Sequence, residues 1–187
     1  MASIPPVCEF GWPAVDASLR GVDGETHRLF AQAGPAGLVI AFICNHCPYV
    51  KAVVGRIVRD ANDLRELGVG FVAINSNDAQ AYPDDSFEKM KLFAQSNGFR
   101  FPYLHDEDQS VARAYGAACT PDFFGFNRAR HAVLEAAILA TRGHLLPAVE
   151  IQAELARLRP WVDKTGEPAE HRAFQFLSEY IQAKGVT

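Results

Sequence analysis

One unbroken apolar run limits the possible folds of this chain more than any other feature. Leu38 through Ile43 are apolar at every position. A strand that is buried on both faces has this pattern, whereas a half-exposed strand alternates apolar and polar residues. The run therefore predicts a central strand in a sheet that helices cover on each side.

The segments after this run predict a helix and a second buried strand. Apolar residues recur at helical spacing and form one stripe: Val50, Val53, Val54, Ile57, Val58, Ala61, Leu64 and Leu67. Pro48 suits the first turn of a helix, and Gly68 is placed to end it in a left-handed cap. Val69 to Ile74 then predicts a strand, so we expect a parallel pair with a right-handed crossover.

The rest of the chain predicts shorter elements. Residues 10–36 carry turn signals and suit a small hairpin or an irregular arm. The other predictions are a helix that begins with an Asp85–Glu88 capping box and ends at Asn97–Gly98, a helix from about Asp108 to Tyr115, a strand from Phe123 to Phe126, and helices at residues 148–159 and 170–183. His131 to Ile138 is either an antiparallel strand or the start of a helix.

Composition excludes several classes of function. The 187 residues carry a formal net charge of −4 with acids and bases mixed, unlike the basic face that binds nucleic acid. No run of about 18 apolar residues is present, so no membrane span is expected. The start, Met1 to Pro6, has no basic segment or apolar core, so we expect no secretion signal and a cytoplasmic protein.

Two of the four cysteines, Cys44 and Cys47, form a C-x-x-C motif between the predicted strand and helix. Structural disulfides are rare in the cytoplasm, so this spacing indicates a redox-active or metal-binding pair. The positive end of a helix stabilises a thiolate, so we expect a lowered thiol pKa. Asn45 and His46 would tune the pair. Support of the thiolate by His46 predicts a potential more oxidising than that of a reducing thioredoxin.

Two further features lie outside the C-x-x-C motif. Cys8 lies in the N-terminal arm and is interpreted as an incidental thiol. Thr120-Pro121 leads into a predicted strand, and it is either a simple turn or a cis-proline whose backbone faces the cysteines.

The motif segments together resemble a known family. They are Cys44-Asn45-His46-Cys47-Pro48, Ile74-Asn75-Ser76-Asn77-Asp78 and Cys119-Thr120-Pro121-Asp122-Phe123-Phe124. The chain resembles, over about residues 10–127, thioredoxin-family proteins of the AhpC/TSA or redoxin type, and in particular a bacterial subgroup with a Cys-Asn-His-Cys-Pro-Tyr signature. The resemblance implies an α/β thioredoxin fold, with helices on both faces of a mixed sheet. It also implies that Pro121 is cis, that Cys44 attacks, that Cys47 resolves, and that Cys119 is a third redox partner beside Thr120.

The chain also departs from the peroxiredoxin pattern. If Cys47 stands in the peroxidatic place, Cys44 occupies the Thr/Ser place of that pattern and Ile40 the Pro place. The arginine of peroxiredoxins is not evident, and Thr120-Pro121 stands in its region. The buried acid that reducing thioredoxins place ahead of their cysteines has no counterpart among residues 38–43. The site is therefore closer to that of a disulfide oxidoreductase than to that of a peroxidase.

We accordingly predict an arm or hairpin at residues 1–36, a thioredoxin-like domain at 37–160 and a helical C-terminal extension at 161–187. The leading function is thiol–disulfide exchange with protein or small-molecule thiols and disulfides, without a cofactor or metal. One alternative is an antioxidant peroxidase that reduces hydroperoxides. Another is a non-enzymatic protein in which Cys44, Cys47, His46 and Cys119 hold zinc or copper(I). A scaffold with incidental cysteines is the last. Asp84-Asp85 is interpreted as a helix start rather than a pair of catalytic acids.

Overall fold

Seven strands form one mixed sheet in the computed structural model, which describes residues 12–127 and the backbone of residues 132–137. The strands are β1 (Ser18–Gly21), β2 (Thr26–Arg28), β3 (Gly37–Phe42), β4 (Val69–Asn75), β5 (Tyr103–His105), β6 (Asp122–Asn127) and β7 (Ala132–Ala137). The helices are α1 (Pro48–Glu66), α2 (Phe87–Ser96) and α3 (Ser110–Tyr115), and short 3₁₀ turns lie at Leu29–Gln32 and Pro83–Asp85.

The apolar run forms β3, an inner strand of the sheet with a neighbour on each side. The strand order is β2-β1-β5-β4-β3-β6-β7. β3 is parallel to β4 and antiparallel to β6. The predicted strand–helix–strand unit with a parallel pair is confirmed, because β3, α1 and β4 follow one another in the chain.

Alternate residues of the central strands enter two separate cores, as a strand buried on both faces requires. On one face Leu38, Ile40 and Phe42 pack with Val111 and Tyr115 of α3. On the other face Ala41 and Ile43 pack with Val50, Ile57 and Ala61 of α1 and with Met90 and Ala94 of α2. Full burial of each large aliphatic or aromatic side chain contributes about 1.5–3 kcal/mol, which favours this strand at the centre. Helices on both faces, as predicted, are confirmed.

Two predicted helix ends are confirmed by left-handed glycines. Gly68 follows α1 with φ of 78°, and Gly116 follows α3 with φ of 67°. This conformation is strained for residues with a Cβ atom, so the two glycines fix where the helices end.

The structure resolves one open choice and corrects another prediction. Residues 132–137 form β7, antiparallel to β6, so the strand interpretation of His131 to Ile138 is correct. The prediction of an Asp85–Glu88 capping box is wrong. Ser86 is the N-cap of α2 and makes no side-chain capping bond, and the Asp85 carboxylate bonds to the motif loop instead.

The remaining predictions about the chain ends lie outside the described residues. They concern Cys8, the helices at residues 148–159 and 170–183, and the extension at 161–187. The described residues belong to one unit, Met1–Ile138, and the predicted domain boundaries stay predictions. Within the described part of the chain, every helix is too short or too polar to span a bilayer.

Candidate active site

Three chain segments meet at one edge of the sheet, and together they form the candidate site. The C-x-x-C loop follows β3, and the segment that contains Asp85 follows β4. These strands are parallel, so both segments leave the sheet at the same edge. β6 runs in the opposite direction and pairs Asp122 with Phe42. Thr120, two residues before Asp122, therefore lies beside the same loop.

Thr120 contacts both sulfur atoms of the motif. The Cys44 Sγ atom shares a hydrogen bond of 3.1 Å with Thr120 Oγ1. The Cys47 thiol donates a hydrogen bond of 3.3 Å to the carbonyl oxygen of Thr120. Both cysteines are free thiols, and the Thr120-Pro121 peptide bond is cis. The sequence left a simple turn or a cis-proline facing the cysteines as alternatives, and the cis-proline is the one found.

The two thiols differ in accessibility. Cys44 is 1% exposed and Cys47 is 9% exposed. Burial raises the pKa of the Cys44 thiol to about 11; its hydrogen bond with Thr120 opposes this rise and the Asp85 carboxylate adds to it. We expected the helix to lower this pKa, and for Cys44 that is wrong. The helix begins at Pro48 with Cys47 as its N-cap, so Cys44 lies earlier, in a buried loop where the charged form is disfavoured.

Cys119 lies close enough to Cys47 to interact with it electrostatically. It is half-buried, and burial raises its thiol pKa to about 11, to which the charges of Asp122 and Cys47 add. The structure thus places Cys119 near Cys47, on the chain segment that also carries Thr120.

Asp85 is the site residue that the sequence did not reveal. Its side chain is fully buried and accepts hydrogen bonds from the Asn45 main-chain N–H at 2.6 Å and from Asn77 Nδ2 at 2.8 Å. Its Oδ2 atom also lies 2.5 Å from His46 Nδ1. An isolated buried charge costs several kcal/mol, and these partners offset that cost. The interpretation of Asp85 as a helix start only is therefore corrected.

His46 is oriented by Asp85 and by an aromatic ring. The imidazole stacks on Tyr82, with the ring centroids 4.6 Å apart and the planes 4° from parallel. One ring nitrogen of His46, Nδ1, bonds to Asp85. The support of a thiolate by His46, through charge or a hydrogen bond, and the more oxidising potential inferred from it stay predictions.

Asn45 fixes the loop between the two cysteines. It is 5% exposed, its Nδ2 donates to the carbonyl oxygen of Asp84 at 2.9 Å, and its Oδ1 accepts from the buried Tyr103 hydroxyl at 2.9 Å. Main chain and side chain of Asn45 together make three hydrogen bonds. The loop therefore holds the cysteines in a defined position.

One group of possible metal donors lies in this site. A sulfur, a ring nitrogen and a carboxylate oxygen of Cys44, His46 and Asp85 lie within 4.8 Å of one another. This set includes Asp85 and differs from the predicted set with Cys47 and Cys119. The Asp85 carboxylate is already bonded to three protein groups, so its burial is explained without an ion.

An open groove of about 660 Å³ begins at the motif loop. It is bordered by Asn45, by Lys51 of α1 and by Leu92 and Phe93 of α2. Leu92 and Tyr82 are among the large apolar side chains that remain exposed. Apart from Leu92 and Phe93, the residues that border the groove are polar or charged.

Comparison with known proteins relates the whole described region to one family. A sequence model of the AhpC/TSA family matches residues 10–145, and a model of a protein of unknown function (DUF447) matches residues 127–179. The chain is 46% identical to an uncharacterized conserved protein from Geobacillus kaustophilus, with a TM-score of 0.70 over 81% of each chain. No curated protein matches the sequence.

More distant solved structures share the fold. One is the thioredoxin domain of a thiol-disulfide oxidoreductase from Bacteroides vulgatus, at 12% identity and a TM-score of 0.59, covering 70% of this chain and 89% of that one. Another is a peroxidoxin from Mycobacterium tuberculosis, at 19% identity and a TM-score of 0.59, covering 81% of this chain and 96% of that one. At such identities the similarity shows a thioredoxin fold and leaves the activity open.

Proposed function

Because the chain belongs to the AhpC/TSA family and has a thioredoxin fold, we propose that it is a thiol–disulfide oxidoreductase whose redox pair is Cys44 and Cys47. The observation that carries this proposal is the contact of both sulfur atoms with Thr120, at 3.1 and 3.3 Å. Two free thiols that contact one residue lie near each other, as formation of a disulfide between them requires. The open groove that Asn45 borders leaves room beside the motif loop for a protein or small-molecule disulfide as substrate.

The burial of the two thiols favours Cys47 as the attacking group. Cys47 has the larger exposed fraction and lies at the start of α1, so its sulfur is the easier of the two for a substrate disulfide to reach. Cys44 is almost fully buried and has a raised pKa, as suits a thiol that reacts only inside the complex. These roles are the reverse of those that the family resemblance implied.

The reaction then has two steps. The Cys47 thiolate attacks a substrate disulfide, forms a mixed disulfide and releases one substrate thiolate. Cys44 loses its proton and attacks the Cys47 sulfur; the Cys44–Cys47 disulfide forms, and the second substrate thiolate leaves. Two electrons have passed from the dithiol to the substrate. The same steps in reverse oxidise a substrate dithiol.

The neighbouring residues have supporting roles in this proposal. Asn45 holds the loop in place, Thr120 contacts both sulfurs, and Pro121 positions the backbone of Thr120. Cys119 is available to exchange with Cys47 once Cys47 is oxidised.

A trapping experiment with two matched variants tests the proposal. In a Cys8→Ser, Cys119→Ser background, Cys44→Ser leaves Cys47 without a resolving thiol, so mixed disulfides with substrates should accumulate on Cys47 and be identified by mass spectrometry. Cys47→Ser should trap few partners, and the double variant serves as the background control. Trapping only by Cys47→Ser would reverse the roles, and equal background in all three proteins would refute thiol–disulfide exchange.

Peroxide reduction is the second candidate, and the position of Cys47 favours it. Cys47 precedes Pro48 at the start of α1, the place of the peroxidatic cysteine in the family pattern. A hydroperoxide would oxidise Cys47 to a sulfenic acid, and Cys44 would resolve it to a disulfide with loss of water. However, within the described region both sulfurs form hydrogen bonds with Thr120 rather than with an arginine. Rapid hydroperoxide consumption with a dithiol donor, combined with slow disulfide reduction, would establish this alternative.

A further inference from the structure

The buried thiol of Cys44 needs a proton acceptor in the second step of the proposed exchange. Its side chain is 1% exposed, so bulk water has little access to its proton. A neutral thiol is a poor nucleophile, because the thiolate is the form that attacks a disulfide. A titratable group inside the protein is therefore required close to the Cys44 sulfur.

His46 and Asp85 occupy that position. A nitrogen of His46 and an oxygen of Asp85 lie within 4.8 Å of the Cys44 sulfur and of one another. That separation suits transfer through a single bridging water. Asp85 binds the imidazole at Nδ1, and Tyr82 stacks on its face. The ring is thus held beside the sulfur, and the His46 side chain is 32% exposed.

We propose that His46, held in place by Asp85, accepts the proton of Cys44 when Cys44 attacks the mixed disulfide. This inference rests on the proposed thiol–disulfide exchange. The S–H bond of Cys44 breaks, the Cys44–Cys47 bond forms, and the bond from Cys47 to the substrate sulfur breaks. The proton resides on the imidazole as an ion pair with Asp85, and it passes from there to the departing substrate thiolate or to solvent. Asp85 is a positioning residue, since it acts through His46.

The other ionisable groups around the pair are poorer acceptors. Cys47 is in the mixed disulfide at this stage. Burial raises the pKa of Tyr103 of β5 well above its usual range, and the Lys89 ammonium of α2 lowers the pKa of Asp84, with a smaller effect from Lys51 of α1. Histidine is the side chain suited to exchange protons near neutral pH.

The two chemical steps can be timed separately with dithiodipyridine. In a Cys8→Ser, Cys119→Ser background, attack by Cys47 releases one thiopyridone, and attack by Cys44 on the resulting mixed disulfide releases the second. Asp85→Asn and His46→Gln should slow the second release about a hundredfold, which is within the range for loss of a general base. The first release should change less than about threefold.

A neighbouring acid and an added base provide the controls. Glu88→Gln removes a carboxylate from the start of α2 that pairs with Lys91 at the surface, so both releases should keep their rates. Imidazole added to a His46→Gly variant should restore the second release in proportion to its concentration, which a purely structural role of His46 would not allow.

The outcomes separate this inference from the proposed function. Absence of a second release in the parent protein refutes the exchange reaction itself. A normal second release that Asp85→Asn and His46→Gln leave unchanged, or accelerate, refutes the role of the pair alone. Acceleration would mean that the Asp85 charge acts only by repelling the Cys44 thiolate. If Asp85→Asn does not fold, the His46 variants and the imidazole response still decide the question.

Discussion

The low reactivity of Cys44 is the prediction that bears most directly on the assignment of roles. Burial raises its pKa from an ordinary 9.0 to about 11, which lowers the thiolate fraction at neutral pH about a hundredfold. A more basic thiolate is a better nucleophile, and a Brønsted coefficient of about 0.4–0.5 restores roughly six- to tenfold of that loss. Ionisation alone therefore slows Cys44 about ten- to fifteenfold, and the 1% exposure of its side chain adds exclusion of the reagent.

The assay uses chains that keep one cysteine each. The Cys8→Ser, Cys47→Ser, Cys119→Ser variant reports Cys44, and its counterpart with Cys44→Ser reports Cys47. Each reacts with dithiodipyridine at pH ~7 in native buffer and in guanidinium, where unfolding removes burial. The Cys44 chain should react at least about tenfold more slowly when folded, and more slowly than the folded Cys47 chain. Equal rates for Cys44 in both conditions would refute burial as the control of its reactivity.

Three further predictions concern stability. Tyr103→Phe removes the buried hydrogen bond to Asn45 and should lower the free energy of unfolding by about 1–2 kcal/mol in urea titrations. The control, Tyr82→Phe at an exposed position, should change it by less than about 0.5 kcal/mol. Equal effects of the two substitutions would contradict the anchoring of the loop by Tyr103. Asp106→Ala removes the carboxylate that binds Ser76 and two N–H groups of α3 and should cost about 1.5–3 kcal/mol, with loss of helical signal on mild heating as the local readout. The reduced protein should lose stability as pH rises from 9.0 through about 11, because folded Cys44 retains a proton that the unfolded chain releases. If the free energy of unfolding of a Cys44→Ser variant falls equally steeply over this pH range, the prediction is contradicted.

Local patterns in the sequence were sufficient to predict the frame that carries the site. The apolar residues from Leu38 to Ile43 determine β3, and the stripe that begins at Val50 determines α1, because burial enforces each pattern over several consecutive residues. The C-x-x-C motif lies between these two elements, so its position in the fold followed without any long-range information. For Thr120-Pro121 the residues alone left two alternatives, a simple turn or a cis-proline that faces the cysteines, and the family resemblance implied the second.

The role of Asp85 could not be predicted, because it depends on a contact between distant parts of the chain. Asp85 and His46 are 39 residues apart in sequence. Locally, Asp85 followed by Glu88 matches a capping box, which is a common reason for an acid ahead of a helix. The prediction of a lowered pKa for Cys44 was wrong for a related reason. The expectation considered the helix dipole alone, whereas the loop is buried beneath Thr120 and beside a carboxylate.

Thr120 holds the two sulfurs by different means, and this difference constrains how the protein can change. Cys44 contacts the side-chain hydroxyl, whereas Cys47 contacts the main-chain carbonyl. A substitution at position 120 can therefore alter the environment of Cys44 in a single step. The same substitution leaves a carbonyl oxygen facing Cys47, because every residue supplies one. Variation among relatives at this position would thus change the surroundings of the Cys44 thiol, while the main-chain contact of Cys47 stays the same.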